Sequence, residues 1–366
     1  MSADRRPAVG RAVQVLGPST GGIRVHVACL AQHLREAGVD TPVVGPAGVL
    51  DGLGPQEGVV PVPAGMSPVA LRRARAAVRR WRTPPGILHA HGLKAAWTVV
   101  GGRPRRPVVV TVHNVVLDAS AGRAAGVQRR LERAVLRRAD RVIAPTAAIA
   151  EGLDGVAPDR IRIILPASPW PVARRSRAEV RAGWGVGDHT PVVVSTARLH
   201  PQKDPATLAA AWARVATARP DARLVVVGEG PARGDLEADL ARQGLEDSVI
   251  LHGFSAHAVD ELAAADLSWI TSRWEAVPLV LAESLALGVP VVSTAVGLAP
   301  ELLGDGAAGA VVPVGDASGL AGATVGLLED PDRRRAAGVR AHGLAAERFD
   351  PARQSDAVLD VYRELW

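Results

Sequence analysis

At 366 residues the chain exceeds one typical domain, and with 48% hydrophobic residues it can fill two cores. It has no run of eighteen apolar residues, its first stretch is polar and basic rather than leader-like, and its single cysteine, Cys29, excludes an internal disulfide and a cysteine-based zinc site, so a cytoplasmic protein is expected. Charge is uneven: residues 1–175 carry 26 Arg/Lys against 11 Asp/Glu and the rest 17 against 26, so a first half at +15 is expected to meet an anionic partner or surface.

The first half alternates short β-rich runs with helical patterns, which predicts a parallel sheet with crossover helices. Strands are predicted at Ala12–Leu16, Thr41–Val44, Val59–Val62, Ile87–Ala90, Val108–Val112, Arg141–Ala144 and Arg160–Ile164. After the first comes Gly17-Pro18-Ser19-Thr20-Gly21-Gly22, a glycine turn feeding a helix through about Ala37. Such a turn suits an anion at the helix N-terminus, or is simply a tight connection; it lacks the spacing of a dinucleotide fingerprint. Residues 71–82 form a basic helical pattern with Leu71, Ala74, Val78 and Trp81 on one face, and a second basic helix is predicted near Arg123–Arg138. Both suit an anionic membrane surface or acceptor, and equally an ordinary surface helix on a core. His113 ends the fifth strand, and His89 and His91 end the fourth, at the carboxyl edge where open α/β sheets bind ligands.

Leu165–Trp184, rich in proline, glycine and arginine without a clear period, is the predicted linker. A second alternation follows, with strands at Val192–Thr196, Leu224–Val227, Val249–Leu251, Leu267–Thr271, Val289–Ser293 and Ala310–Val312. Helices are predicted at Pro205–Ala218, Gly234–Gln243, Ala258–Ala265, Pro278–Leu287, Ala317–Glu329 and Pro351–Leu365.

The chemistry concentrates in this second half. Arg198 and Lys203 share one short loop ahead of a helix, where a planar fork and a point charge can hold a diphosphate. Lys203 stands out because only it and Lys94 are lysines among 43 basic residues. Gly228-Glu229-Gly230-Pro231 reads as a close-approach loop, and His252-Gly253-Phe254 ends the third strand where backbone could lie beside a base. Glu275 falls in a loop; Pro278 is placed at the first helical position, and Glu283 in the second turn. A helix start wants an anion, while carboxylates want hydroxyls or cations; a phosphate carried on sugars satisfies both.

Taken together these residues resemble glycosyltransferase family 4, over nearly the whole chain. The resemblance rests on Gly21-Gly22, Thr111-x-His113, Ala-Asp-Arg-Val-Ile-Ala-Pro-Thr at 139–146, Ala197-Arg198-Leu199 with Lys203, Val227 through Pro231, and the Glu-x7-Glu of Glu275 and Glu283. Val296-Gly297 with Pro300-Glu301, and Asp305-Gly306 with Gly309, complete it. It implies a GT-B fold, two doubly wound Rossmann-like domains facing across a cleft: residues 1–170 on the acceptor side, 171–347 binding a nucleotide-sugar, and 348–366 a helix crossing back. It implies retaining transfer of a hexose-type sugar from a nucleotide-diphosphate sugar to an acceptor hydroxyl, without metal or other cofactor.

By the resemblance, Arg198 and Lys203 bind the diphosphate, Glu283 the ribose hydroxyls, and Glu275 the transferred sugar. The backbone of Ala276, Val277, Pro278 and Leu279 cradles sugar and phosphate. Gly21 and Gly22 approach the β-phosphate, His113 touches the donor sugar, Gly228 gives close backbone approach, and Phe254 marks the base pocket. Ala276 and Pro278 replace glycines usual in the family, and the Asn-Gly turn usual near 164–168 is missing, so the sugar cradle and the linker are the places to expect differences. The acceptor is unspecified; a lipid-linked or otherwise anionic one, with peripheral membrane contact, fits the basic first half, and no nucleic acid is implied. Two other readings use the same architecture: a nucleotide-sugar 2-epimerase, which needs no acceptor, and a non-catalytic sugar-binding module.

Overall fold

The computed structural model describes residues 10–19, 21–51, 53, 56–63, 67–79, 86–101, 106–113 and 125–366. The chain divides into two compact units, Met1–Pro169 with Asp350–Trp366, and Trp170–Phe349.

In the first unit seven parallel strands lie in the order β3-β2-β1-β4-β5-β6-β7. They are β1 (Ala12–Leu16), β2 (Val43–Gly45), β3 (Gln56–Val59), β4 (Ile87–His91), β5 (Val108–Thr111), β6 (Arg141–Ala144) and β7 (Ile161–Ile163). The runs are nearly all apolar because helices cover both faces of a parallel sheet. β3 falls earlier than the predicted Val59–Val62, since Val60 and Val62 are buried just beyond the ladder rather than in it. The order reverses between β1 and β4, so their following connections diverge to opposite faces.

The last helix, Pro351–Arg363, belongs to this unit. Asp350 caps it by accepting from the Ala352 amide at 3.0 Å, and its apolar face buries Val358, Leu359, Val361 and Tyr362 against Ala12, Leu30, Leu34, Ile87 and Val109. A phenol so deep needs polar partners. The Tyr362 hydroxyl meets His89 Nδ1 at 2.7 Å and accepts from Gln14 Nε2 at 3.1 Å.

In the second unit six parallel strands lie in the order β10-β9-β8-β11-β12-β13. They are β8 (Val192–Thr196), β9 (Arg223–Val227), β10 (Val249–Gly253), β11 (Leu267–Ile270), β12 (Val291–Thr294) and β13 (Gly309–Val312), with the reversal between β8 and β11. Trp212 and Trp269 centre the core edge-to-face, ring centroids 5.9 Å apart, and their indoles donate to Ser248 at 3.0 Å and Thr324 at 2.8 Å.

The predicted linker is shorter than 165–184. A helix at Arg177–Gly183 opens on a Ser176–Glu179 capping box, and Arg175 pairs with Asp260 at 3.2 Å and Glu261 at 2.6 Å. The stretch from Trp170 is therefore built into the second unit. A second correction is the helix Pro331–Arg348, absent from the sequence reading. Its buried stripe is Ala337, Gly338, Ala341, Leu344 and Ala345, a helical period written mostly in small residues. A Cβ on Gly338 would stand 2.5 Å from the Gly288 carbonyl, so close helix approach requires glycine there.

Removing the Tyr362 hydroxyl tests how the last helix is held. Tyr362→Phe leaves the His89 and Gln14 groups short of a partner in a dry site, at a cost of about 1–3 kcal/mol. Hydrogen exchange should show that loss in first-unit amides and leave second-unit amides unchanged.

Candidate active site

The loops that follow β8 and β11 emerge side by side where strand order reverses, and both carry charged residues. After β8, the loop runs through Arg198 to a single 3-10 turn at Pro201–Lys203. After β11, it runs from Thr271 to Pro278. The two are laced together: the Thr271 hydroxyl donates to the Lys203 carbonyl at 2.6 Å, the Arg273 amide to the Gln202 carbonyl at 2.8 Å, and the Gln202 side chain to the Trp274 carbonyl at 2.9 Å. Thr294 on β12 adds a bond to the Ser272 carbonyl at 2.6 Å.

This lacing brings Lys203 and Glu275 into a direct ion pair, and the Ser272 hydroxyl donates to the same carboxylate oxygen at 2.8 Å. Both side chains are mostly covered, 23% and 11% exposed. The second carboxylate differs. Glu283 lies half-buried on the helix Leu279–Ala286, and its carboxylate has no hydrogen bond or ion pair among the described residues. Burial without compensation raises its pKa above the ordinary glutamate value. It is an acceptor lacking donors. Arg198 is exposed and likewise has no partner among the described residues.

Pro278 is not the first helical residue as the sequence suggests; it is the N-cap, with extended backbone, and the helix starts at Leu279. Its missing N–H therefore lies outside the helix, and the first-turn amides begin with Leu279. The Ala276–Pro278 backbone is backed by Gly297 at φ +54°, where a Cβ would stand 2.9 Å from the Ala276 carbonyl.

The close-approach loop after β9 is explained by its neighbour. Gly228 has φ +144°, and a Cβ would fall 1.8 Å from the Ala197 carbonyl. Ladder bonds continue past the strand ends, Ala197 amide to Val227 at 3.0 Å, Leu199 amide to Glu229 at 2.9 Å and Gly228 amide to Gly253 at 2.8 Å. Phe254 follows directly and is 77% exposed.

In the first unit the Gly21-Gly22 turn is exposed, and Gly21 caps the helix Gly22–Glu36 at φ +106°, a conformation open to glycine. His113 follows β5 and is half-buried, its Nε2 3.4 Å from His91 Nδ1. Burial pushes the His113 pKa well below the ordinary histidine value, with nearby His26 and His89 adding to the effect, so it is neutral near pH 7. Asn114, Trp81 and Thr20 lie outside the described residues.

The model described as Glycosyltransferase Family 4 matches residues 20–167, and that described as Glycosyl transferases group 1 matches residues 190–330. A D-inositol 3-phosphate glycosyltransferase of Acidothermus cellulolyticus is 31% identical over 387 aligned positions, covering 94% of this chain and 86% of that one. The chain belongs to glycosyltransferase family 4. An alpha-D-kanosaminyltransferase of Streptomyces kanamyceticus is 31% identical over 191 residues, 52% of this chain and 49% of the relative. The match thus spans about half the length of that transferase. The structure of Anabaena HepE in complex with UDP and glucose superposes with a TM-score of 0.84 at 23% identity, covering 97% of this chain and 100% of that one. WaaG, a glycosyltransferase involved in lipopolysaccharide biosynthesis, superposes at 0.73 with 18% identity over 96% of this chain and 99% of that one. These likenesses fix the fold as GT-B.

For this member of the family, sequence reasoning missed the residues that shape the charged loops: Gln202, Asp204, Thr271, Ser272 and Thr294. Asp204 is the clearest. It is the only non-glycine residue with positive φ among the described residues, at +51°, directly beside Lys203. Its carboxylate caps the following helix, accepting from the Thr207 amide at 3.4 Å and hydroxyl at 2.8 Å, and it pairs with Arg273 at 3.2 Å. Asp-Pro before a helical run was the available cue.

Two outcomes follow. Asp204→Ala loses the cap and keeps the left-handed backbone, and should destabilise the second unit by about 2 kcal/mol, whereas Asp204→Asn, which tolerates both, should cost less than half of that in urea unfolding. For Glu283 the sign is opposite. Its carboxyl is raised on folding, so ionisation destabilises the fold as pH climbs from the ordinary glutamate value to the raised one. Glu283→Gln should therefore stabilise the chain near pH 7, and the gain should vanish on acidification below the ordinary carboxylate range.

Proposed function

We propose that this chain transfers a hexose-type sugar from a uridine diphosphate sugar to an acceptor hydroxyl with retention of anomeric configuration and without a metal. The observation that carries the donor assignment is the unpartnered carboxylate of Glu283, on a helix that begins in the same loop as the Lys203–Glu275 pair. Ribose hydroxyls supply the donors Glu283 lacks. The diphosphate draws Lys203 away from Glu275 and adds Arg198, and the freed Glu275 accepts from hydroxyls of the transferred sugar. The backbone of Ala276, Val277, Pro278 and Leu279 borders that sugar, Gly228 permits close backbone approach, and the backbone at Phe254 borders the base. On the family resemblance, His113, Gly21 and Gly22 also serve the donor. The uridine choice follows the UDP held by structural neighbours.

When the bond from anomeric carbon to β-phosphate oxygen breaks, charge develops on the diphosphate. Two cations and a helix N-terminus directed at it stabilise that charge where it appears. The acceptor oxygen bonds the anomeric carbon from the same face, and its proton passes to the departing phosphate oxygen. The acceptor is proposed to be anionic, in keeping with a relative named for inositol 3-phosphate and with the exposed Arg72, Arg73 and Arg79 at the helix Pro68–Val78. Among the described residues no helix is long and apolar enough to cross a membrane, and contact with an anionic bilayer is a further proposed role for that basic face.

The test is a thermal-shift screen of UDP-, GDP-, ADP- and dTDP-sugars, because a ligand that binds only the folded chain raises its apparent stability. A UDP-sugar should give the largest shift, and Lys203→Ala and Glu283→Ala should abolish it. A shift equal to wild type in both variants would refute the site. Product analysis then separates transfer from epimerisation, which would convert the donor with no acceptor present.

A further inference from the structure

In the first unit, three histidines from three separate elements meet at the point where strand order reverses. His26 comes from the helix after β1, His91 is the last residue of β4, and His113 follows β5. One ring nitrogen from each lies within 4.8 Å of the other two. The rings surround a common point, with centroid separations of 5.4, 5.3 and 5.6 Å.

Their outward partners decide which nitrogens face inward. His26 Nδ1 lies 3.1 Å from the Ala167 carbonyl, which can only accept, so Nδ1 holds the proton and Nε2 a free lone pair. His91 Nε2 lies 2.9 Å from Gln14 Oε1. The Gln14 amide is fixed in that sense because its Nε2 donates to the Ala12 carbonyl at 3.1 Å. His91 therefore keeps its proton on Nε2 and turns the Nδ1 lone pair towards His113. His89 is excluded, although its ring centroid is 4.2 Å from that of His91, because both its nitrogens are engaged, by Tyr362 at 2.7 Å and Thr111 at 2.7 Å.

We propose that His26 Nε2, His91 Nδ1 and His113 Nε2 form a three-histidine site for a first-row divalent transition metal, Zn2+ foremost. Zinc–nitrogen bonds of about 2.0–2.1 Å in a tetrahedron place ligand nitrogens about 3.3 Å apart. The His91–His113 pair already stands at 3.4 Å. The His26 nitrogen lies within 4.8 Å of both partners, so closing its edges asks that ring to move on the order of 1.5 Å. The Gln14 and Ala167 oxygens behind two of the ligands are the outer-shell acceptors that fix imidazole tautomers in metal sites. Without metal, His113 Nε2–H donates to His91 Nδ1; metal binding moves that proton to His113 Nδ1, and the ring stays neutral.

The consequence for activity is inhibitory. A metal on Nε2 removes that nitrogen from any contact with a donor sugar. This consequence rests on the proposed role of His113 in transfer, whereas metal binding itself does not.

The experiment titrates the metal-free full chain with Co2+ alone and reads the visible absorption that tetrahedral cobalt acquires from nitrogen ligands, then adds Zn2+. One equivalent should develop the bands, and one equivalent of Zn2+ should bleach them. His26→Asn keeps a donor to Ala167 and deletes Nε2, so it should weaken binding at least tenfold, while His33→Ala, at a half-buried histidine outside the cluster that pairs with Asp356, should bind as wild type. If His26→Asn is unfolded by circular dichroism, His91→Gln takes its place, retaining a donor to Gln14. No bands at stoichiometric cobalt, or bands unchanged in the folded ligand variant, would overturn the site. Measuring the UDP-induced thermal shift in parallel separates this result from the donor proposal, since Lys203 and Glu283, on which that shift is proposed to depend, lie in the second unit and outside the histidine cluster.

Discussion

Everything in the second unit that bears charge chemistry depends on one topological constraint, the adjacency of β8 and β11 at the reversal of strand order. Right-handed crossovers force the connections after these two strands to leave towards opposite faces. The gap between them is the one place on the sheet edge where two loops can approach without a helix packed over both. Lys203 and Glu275 fill that gap as an ion pair, and side-chain bonds from Gln202, Thr271 and Thr294 to loop carbonyls hold the loops rather than the charges. A pair of mostly covered charges is weak evidence for stability. In the proposed function it keeps a cation and an acceptor ready in one position, where an incoming anion would exchange with the carboxylate already present.

The cost of that readiness is visible nearby. Glu283 is half-buried without a donor, and Asp204 holds a left-handed conformation next to Lys203. Neither is what stability alone would select, and both border the charged loops. The first unit repeats the topology with different chemistry. Its reversal point, between β1 and β4, gathers neutral imidazoles instead of an ion pair.

Much of this was legible in the sequence because parallel sheets write long β-branched runs. Ala12–Leu16, Arg141–Ala144 and Val192–Thr196 are bounded where the sequence placed them. That Lys203 and Glu275 stand on loops just past β-rich runs was also legible, and the structure brings those two side chains together. The helix Pro331–Arg348 was not, since its buried stripe is alanine and glycine and shows little hydrophobic contrast. Nor was the start of the helix at Leu279, because proline suits both the cap and the first turn. The His26–His91–His113 cluster was hidden for another reason. His26 reads as one polar position on an amphipathic helix, and only the strand order brings it to the ends of β4 and β5.

In the proposed function Lys203 exchanges its carboxylate partner, Glu275, for a diphosphate. The most direct measurement is calorimetric titration of UDP, which lacks the transferred sugar, into wild type and Glu275→Gln. Removing the competing charge should tighten UDP binding several-fold even though the variant loses its acceptor for sugar hydroxyls and with it transfer. UDP binding that is unchanged or weaker in Glu275→Gln would contradict the exchange and the site built on it.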